Sequence, residues 1–315
     1  MEINEIYKNV LSLFYEYRYK NYIESLSFLY GKYYELLKNE DKELAEKVLL
    51  CSKNILSYIK GEINGNELFI ENVHFPSIII RHREVFFRSR TIAKTDKNYT
   101  AQNMFHIPLG YNKTQSGRFD DNNRICLYLC KSCFSCFSEV APEEGKDLMI
   151  SLFEFIHTDI SQIVDFRLRS EIDFIKSKDK KNYLLCLPYI LACMFIKRGT
   201  LEYKFSQYVM SALDYMDERL QIKHGGHKIN VYTPYIGLSY TSVYFDNEVM
   251  RIENNEQIYD NYVFLAKYGK ENTGTSKLLS DMFTVTDPLR CQWNQKSDYK
   301  GIEEKLKKKE LFVIQ

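Results

Sequence analysis

The densest group of reactive side chains in the sequence is a run of four cysteines with the spacing C-x3-C-x2-C-x2-C, at Cys126, Cys130, Cys133 and Cys136. Four thiolates that converge on one tetrahedral centre would bind zinc or an iron–sulfur cluster. The first two cysteines, however, fall in a predicted strand, the last two lie on one face of the following helix, and no histidine is close. We therefore favour the alternative, in which small apolar side chains pack a strand–helix junction, and we expect no metal.

Histidines give a second candidate, the segment His224-Gly-Gly-His227. Two imidazoles separated by flexible glycines could ligate a metal, but no carboxylate or third histidine is adjacent, so a loop in solvent is the preferred interpretation. His106 stands alone in the segment MFHIPLG. We predict a packed, hydrogen-bonded histidine there rather than a catalytic base.

Arginines are the side chains best suited to hold a phosphate, because the sequence contains neither the G-x-G-x-x-G nor the G-x-x-x-x-G-K-[ST] phosphate-loop pattern. Arg81, Arg83, Arg88 and Arg90 lie on or beside one predicted strand, and Arg118 follows later. Alternate residues of a strand share a face, so Arg88 and Arg90 should point the same way. Paired guanidiniums suit bidentate binding of a pyrophosphate, and a solvated strand face is the simpler alternative.

The elements that must position these side chains indicate an α+β fold, because apolar runs typical of strands are interleaved with helical periodicity. The predicted strands are Glu84–Thr91, Ile125–Cys130, Leu148–Phe155, Ile163–Phe166, Leu238–Phe245 and Asn261–Ala266. The predicted helices in the same region are a short one capped by Ser132 and ending at Glu139, a buried one over Asn182–Ile196, an amphipathic one over Tyr203–Gln221, and a charged one over Glu303–Glu310.

The N-terminal region is expected to be all-helical, because apolar residues recur at helical spacing from residue 3 to about 60. Gly31 is expected to break the first run, Asp41 to cap the last helix at its start, and Gly61 to end it. We divide the chain into a helical module, residues 1–74, and a catalytic domain, residues 75–315.

Composition excludes some classes of function. The chain of 315 residues has 43 Lys and Arg against 42 Asp and Glu, a net charge of +1, which argues against direct binding of nucleic acid or an anionic membrane. The longest apolar stretch, Tyr183–Ile196, contains Pro188 and is shorter than the roughly 20 residues of a membrane span. The N-terminus lacks a signal-peptide pattern, so we expect a cytoplasmic protein with reduced thiols.

Motifs spread over about residues 75–270 resemble the RES domain family, in its longer members. The order and spacing of the motifs carry this resemblance rather than any one of them. In the first half they are FFRSR at 86–90, MFHIPLG at 104–110, and SGRFDDNNRICLYLCKSCFSCFSEV at 116–140. In the second half they are NYLLCLPYILACMF at 182–195, EYKFSQYVMSAL at 202–213, YIGLSYTSVYF at 235–245, and NYVFLA at 261–266.

The resemblance implies an ADP-ribosyltransferase-like fold with a mixed β-sheet core and an activity that consumes NAD+. The implied function is that of an NAD+ phosphorylase or glycohydrolase acting as a toxin or defence effector. Inorganic phosphate is then a candidate co-substrate, an antitoxin or immunity protein a candidate partner, and a homo-oligomer a candidate assembly. The alternative is a protein ADP-ribosyltransferase, which differs only in using a protein acceptor.

Carried over position by position, the resemblance implies three catalytic residues, Arg88, Glu139 and Ser242, with Arg90 as the alternative to Arg88. The residues implied to bind NAD+ are Arg90, Arg118 and Tyr128. In this scheme the arginines clamp the pyrophosphate, the tyrosine stacks on nicotinamide, the serine donates a hydrogen bond, and the carboxylate binds ribose hydroxyls or stabilises the cationic ring.

Two features depart from the family pattern. Asp120 replaces the usual Asn or similar residue after the Gly-Arg-aromatic unit, and DDNNR at 120–124 replaces a Gly/Pro turn. A carboxylate at this point would weaken phosphate binding. The departures motivate a second alternative, a non-catalytic RES-fold binding module.

Overall fold

The chain divides into a helical unit and a sheet unit in its computed structural model. The structure describes residues 2–17, 21–68, 75–109, 117–120, 124–140, 143–158, 161–169, 171–194, 203–213, 235–242, 259–266 and 274–314. The helical unit consists of Met1–Pro76, Gly117–Phe119 and Asp165–Ser211, and the sheet unit of Ser77–Ser116, Asp120–Val164 and Ala212–Gln315. The first boundary lies close to the expected one, and a second helical segment joins the N-terminal helices. Where a catalytic domain begins stays a prediction.

The order of elements confirms the α+β class. The helices are α1 (Ile3–Tyr17), α2 (Tyr22–Lys38), α3 (Lys42–Lys60), α4 (Ala101–Met104), α5 (Cys133–Glu139), α6 (Glu171–Lys176), α7 (Lys180–Met194), α8 (203–213), α9 (Lys277–Met282) and α10 (Tyr299–Lys307). The strands are β1 (Ser77–Ile80), β2 (Val85–Ala93), β3 (Cys126–Cys130), β4 (Lys146–Phe155), β5 (Ser161–Phe166), β6 (Tyr235–Thr241), β7 (Asp260–Leu265), β8 (Phe283–Thr286), β9 (Leu289–Cys291) and β10 (Leu311–Val313).

The ends of the N-terminal helices follow local sequence signals, with one exception. The side chain of Asp41 accepts a hydrogen bond from the backbone N–H of Leu44 at 3.0 Å, and Gly61 ends α3 with a φ of 80°, so both predicted caps are confirmed. The predicted break at Gly31 is wrong, because α2 continues through that residue. One glycine costs a helix only about 1 kcal/mol, and the buried apolar face of α2 outweighs that cost.

Helix α7 forms the centre of the helical unit, and all of its residues from Tyr183 to Met194 are buried. Pro188 inside the helix has no N–H, so the carbonyl of Leu184 lacks its usual partner four residues later. The hydroxyl of Tyr33 on α2 donates to that carbonyl at 2.8 Å. The predicted buried helix is thus confirmed. No helix among the described residues is long and apolar enough to cross a membrane.

The strands form a ten-stranded sheet in the order β1-β5-β6-β7-β3-β2-β4-β8-β10, with β9 paired to β4. Strands β2 and β4 pair antiparallel along their whole length, from Val85–Glu154 to Ala93–Lys146. Strands β2 and β3, in contrast, share a single register pair, Phe87 with Cys130. Among the strand pairs whose register the structure describes, the arginine strand β2 and its neighbour β3 share the fewest positions.

Alternation along β2 gives its two faces different neighbours. Phe86 and Ile92 belong to one buried apolar cluster, and Phe87 belongs to another that also contains Cys130. By strand geometry Arg88 and Arg90 lie on the Phe86 side, as the sequence predicts.

The C-terminal segment differs from its predicted form. A continuous charged helix was expected over Glu303–Glu310, but α10 ends at Lys307 and the chain enters β10, which pairs with β8. Three apolar residues, Leu311–Val313, favour a strand there once an edge is available for pairing.

Candidate functional site

Glu139 is the last residue of α5, a short helix whose start is fixed by two hydrogen bonds. The side chain of Ser132 accepts from the backbone N–H of Ser135 at 3.1 Å, and the Glu303 carboxylate accepts from the N–H of Cys133 at 2.8 Å. A carboxylate at a helix C-terminus lies at the negative end of the helix dipole, which disfavours it. The position of Glu139 therefore requires donors from elsewhere.

Two buried side chains supply those donors, and both act on the same oxygen. The hydroxyl of Ser242, just after β6, donates to Glu139 Oε1. The amide Nδ2 of Asn261 on β7 donates to Glu139 Oε1 at 2.6 Å. Ser242 is itself held by its backbone N–H, which donates to the carbonyl of Tyr259 at 2.7 Å. The structure thus brings together two of the three predicted catalytic residues.

Arg88, the third of them, lies on β2 with a buried guanidinium nitrogen. Its Nη1 has no hydrogen-bond partner among the described residues, and neither does the buried Oγ of Ser151, which stands directly opposite Arg88 on β4. Burial, and then the neighbouring Arg90 guanidinium, lower the pKa of Arg88 to about 9. Arg88 is still a cation at neutral pH, in surroundings that favour an added anion.

Arg90 is partly engaged. Its Nη2 donates to the carbonyl of Phe105 at 2.6 Å, while its buried Nε has no partner within the described part of the chain. Burial lowers the pKa of Arg90 as well. Arg88, Arg90 and Ser151 thus leave three buried polar atoms unpaired at adjacent positions of two paired strands, and each of these atoms can donate to an anion.

Cys130 connects the guanidinium to the carboxylate. A hydrogen bond with Cys136, burial, and then the Cys136 and Glu139 charges raise the pKa of the Cys130 thiol, and Arg88 acts in the opposite direction. By register, Cys130 pairs with Phe87, the residue before Arg88, on one side and with Asn261, which contacts Glu139, on the other. Arg88 and the Glu139–Ser242 pair therefore belong to one neighbourhood within the sheet unit. We call the residues Arg88, Arg90, Glu139, Ser242 and Asn261 the candidate site.

Tyr128 and Asp120 form a pair beside this site. The Tyr128 hydroxyl donates to Asp120 Oδ1 at 3.0 Å, and Asp120 is buried. Asp120 and Tyr128 are also among the groups that oppose the lowering of the Arg88 pKa, so both lie near its guanidinium. Asp120 therefore partly balances the charge of Arg88, and it fixes the direction of the tyrosine hydroxyl.

Arg118, another predicted site residue, belongs to the helical unit. Its guanidinium donates to the carbonyl of Cys193 at the end of α7 and lies 5.6 Å from the ring centroid of Tyr203. These contacts give it a packing role within its own unit. Its role in binding the pyrophosphate stays a prediction.

The cysteine run and His106 do not belong to a possible metal site among the described residues. Cys130, Cys133 and Cys136 pack in an apolar cluster, and within the described ranges no group of three or more His, Cys, Asp or Glu could hold a metal ion. His106 is buried and accepts from the backbone N–H of Ser276 at 2.8 Å, which confirms the prediction of a hydrogen-bonded histidine. His224 and His227 lie outside the described residues.

Sequence reasoning missed two members of the polar neighbourhood, Asn261 and Ser151. Ser151 is a polar residue inside the apolar run MISLF, and Asn261 is a polar residue at the start of the predicted strand NYVFLA. A polar residue in a strand predicted as core is the signal that could have identified them, because a buried polar side chain needs a partner.

Comparison with known proteins adds no relative to this description. No family model matches the chain, no curated protein matches it, and no solved structure matches it. The resemblance to the RES family rests on the sequence motifs alone.

Proposed function

We propose that the sheet unit binds NAD+ and transfers its ADP-ribosyl group by breaking the bond between nicotinamide and ribose. The observation that carries this proposal is that one neighbourhood holds a buried guanidinium nitrogen, Arg88 Nη1, without an acceptor among the described residues, and a carboxylate held by Ser242 and Asn261. The guanidinium would stabilise the pyrophosphate anion of NAD+, and the carboxylate would stabilise the ribose ring as it becomes positively charged.

The reaction breaks the C1″–N bond of the nicotinamide riboside, and the electron pair leaves with neutral nicotinamide. The ribose ring passes through an oxocarbenium-like state, which the carboxylate of Glu139 would stabilise by its charge. Arg88 and Arg90 would hold the pyrophosphate, and so fix the position of the ribose. Tyr128 would provide an aromatic surface for nicotinamide.

Inorganic phosphate or water completes the reaction. An oxygen of the acceptor forms the new bond to C1″ and its proton is lost to solvent, which gives ADP-ribose-1″-phosphate or ADP-ribose respectively. The Oγ of Ser151 and the guanidinium of Arg88 could both donate to such a phosphate. Action in the cytoplasm as a toxin or defence effector, controlled by an antitoxin or immunity protein, forms part of the same proposal. A protein acceptor in place of phosphate or water would make the chain an ADP-ribosyltransferase.

One observation favours a second candidate, a non-catalytic binding module. Asp120 is a buried carboxylate near Arg88, and a carboxylate at this point would compete with a phosphate for the guanidinium. In this case the fold would bind an anionic partner weakly and would turn nothing over.

Product analysis separates these candidates. The protein is incubated with NAD+, with and without inorganic phosphate, and the nucleotides are separated by chromatography, with Glu139→Gln as the matched control. Phosphorolysis predicts ADP-ribose-1″-phosphate only when phosphate is present, and hydrolysis predicts ADP-ribose in both conditions. If the NAD+ carries a label on its ADP-ribosyl group, a labelled protein band without either product would indicate a protein acceptor. Unchanged NAD+ in every reaction, or equal rates for the two proteins, would contradict the proposed catalysis.

A further inference from the structure

The nitrogen and the oxygen of the Asn261 side-chain amide have different surroundings. Both atoms are buried, since the residue is 2% exposed. Its nitrogen Nδ2 donates to Glu139 Oε1 at 2.6 Å. Its oxygen Oδ1 has no hydrogen-bond partner among the described residues. The opposite orientation of the amide would place its oxygen against the carboxylate oxygen, so the contact with Glu139 fixes which end is which.

An unpaired buried amide oxygen is costly, because it loses its hydrogen bond to water without a replacement. Most such oxygens in folded proteins have a partner. The oxygen of Asn261 is an acceptor beside the carboxylate that the proposed function places at the ribose. The missing partner is therefore a donor, and the hydroxyl of a sugar is a neutral donor of suitable size.

We propose that Asn261 positions Glu139 through Nδ2 and accepts a hydrogen bond from a ribose hydroxyl of the substrate through Oδ1. This inference rests on the proposed function. It implies that the site prefers a substrate with ribose to one with deoxyribose. The register supports the placement, because Asn261 on β7 stands opposite Cys130 on β3, and Cys130 stands opposite Phe87, the residue before Arg88.

The test compares NAD+ with analogues that lack the 2″- or the 3″-hydroxyl of the nicotinamide ribose. Asn261→Ala should raise KM for NAD+ by about 3- to 10-fold, and it should have no such effect with at least one of the two analogues. A general loss of structure would impair all three substrates alike. An equal penalty of Asn261→Ala on NAD+ and on both analogues would overturn the inference.

A second variant separates the two roles and keeps the side-chain volume. Asn261→Asp keeps the oxygen Oδ1 that accepts a hydrogen bond. It replaces the nitrogen Nδ2, which donates to Glu139, with a second accepting oxygen. It should keep the discrimination between NAD+ and its analogues while kcat falls by about 100-fold, because the Glu139 carboxylate is displaced. Asn54→Ala, on α3 of the helical unit, is the matched control and should alter neither parameter. If Asn261→Asp loses the discrimination and keeps kcat, the assigned roles are wrong.

Binding of ADP-ribose, measured by calorimetry, distinguishes failure of this inference from failure of the proposed function. If NAD+ is not turned over but ADP-ribose binds wild-type protein several-fold more tightly than Asn261→Ala, the inference stands without the catalysis. If NAD+ is turned over and ADP-ribose binds both proteins equally, the catalysis stands and the inference is overturned.

Discussion

The hydroxyl of Tyr33 replaces a backbone donor that Pro188 cannot supply. Removing this hydroxyl should measurably destabilise the helical unit. Tyr33→Phe leaves the buried carbonyl of Leu184 without a partner. An unsatisfied buried acceptor costs about 1–3 kcal/mol, so the free energy of unfolding should fall by that amount. Urea denaturation followed by circular dichroism measures it. The Tyr33 hydroxyl lies 2.8 Å from the carbonyl, and the removed atom leaves almost no cavity.

The chain provides a matched control in the neighbouring residue Tyr30, whose hydroxyl donates to the carbonyl of Pro188 at 2.6 Å. That carbonyl can also accept from the amide of Ala192 within the helix, so Tyr30→Phe should cost less than about 1.5 kcal/mol. Pro188→Ala restores the amide that Leu184 lacks, and Tyr33→Phe should then cost little in this background. Equal costs for the two tyrosine variants, or an unchanged cost beside Pro188→Ala, would refute the reasoning.

Further predictions concern the sheet unit and the cysteines of both units. Arg88→Met should raise the free energy of unfolding by about 1–2 kcal/mol, measured by urea denaturation, because it relieves the cost of burying a guanidinium that Asp120 balances only in part and whose Nη1 has no acceptor in the described part of the chain; destabilisation would contradict this. Burial raises the pKa of Glu303, so its charge should destabilise the fold above that pKa. Glu303→Gln, which still accepts from Cys133, should therefore stabilise the protein at pH 7, and the difference should vanish as the pH falls below the ordinary value of 4.5; a gain that grows toward acid would refute it. The eight buried thiols should resist iodoacetamide in the native protein and react in urea, by intact mass, and rapid native labelling would argue against their burial.

Much of the sheet could be predicted because its central strands are long and apolar. The strands predicted at Glu84–Thr91 and Leu148–Phe155 correspond to β2 and β4, and the helix predicted to start after Ser132 corresponds to α5. Strands β1, β8, β9 and β10 were missed, because each has three or four residues and so shows no periodicity. Such strands form only where a longer neighbour offers a pairing edge.

The site could be predicted only in part, because its members are distant in sequence. Ser242 and Asn261 contact Glu139 across 103 and 122 residues. No local pattern determines such a contact, and Arg88, Glu139 and Ser242 were selected from the order of family motifs. Asn261 occupies the first position of a strand predicted as core, where a polar residue gives no indication of its partner.

Binding of NAD+ to Glu139→Gln, measured by calorimetry, tests most directly whether one site holds both the anion and the ribose. This protein should bind NAD+ at one site per chain, and adding Arg88→Met should weaken the affinity by about tenfold or more. Nicotinamide riboside, which has no phosphate, should show no dependence on Arg88. An equal affinity for NAD+ with and without Arg88, or no binding to either protein, would contradict the account.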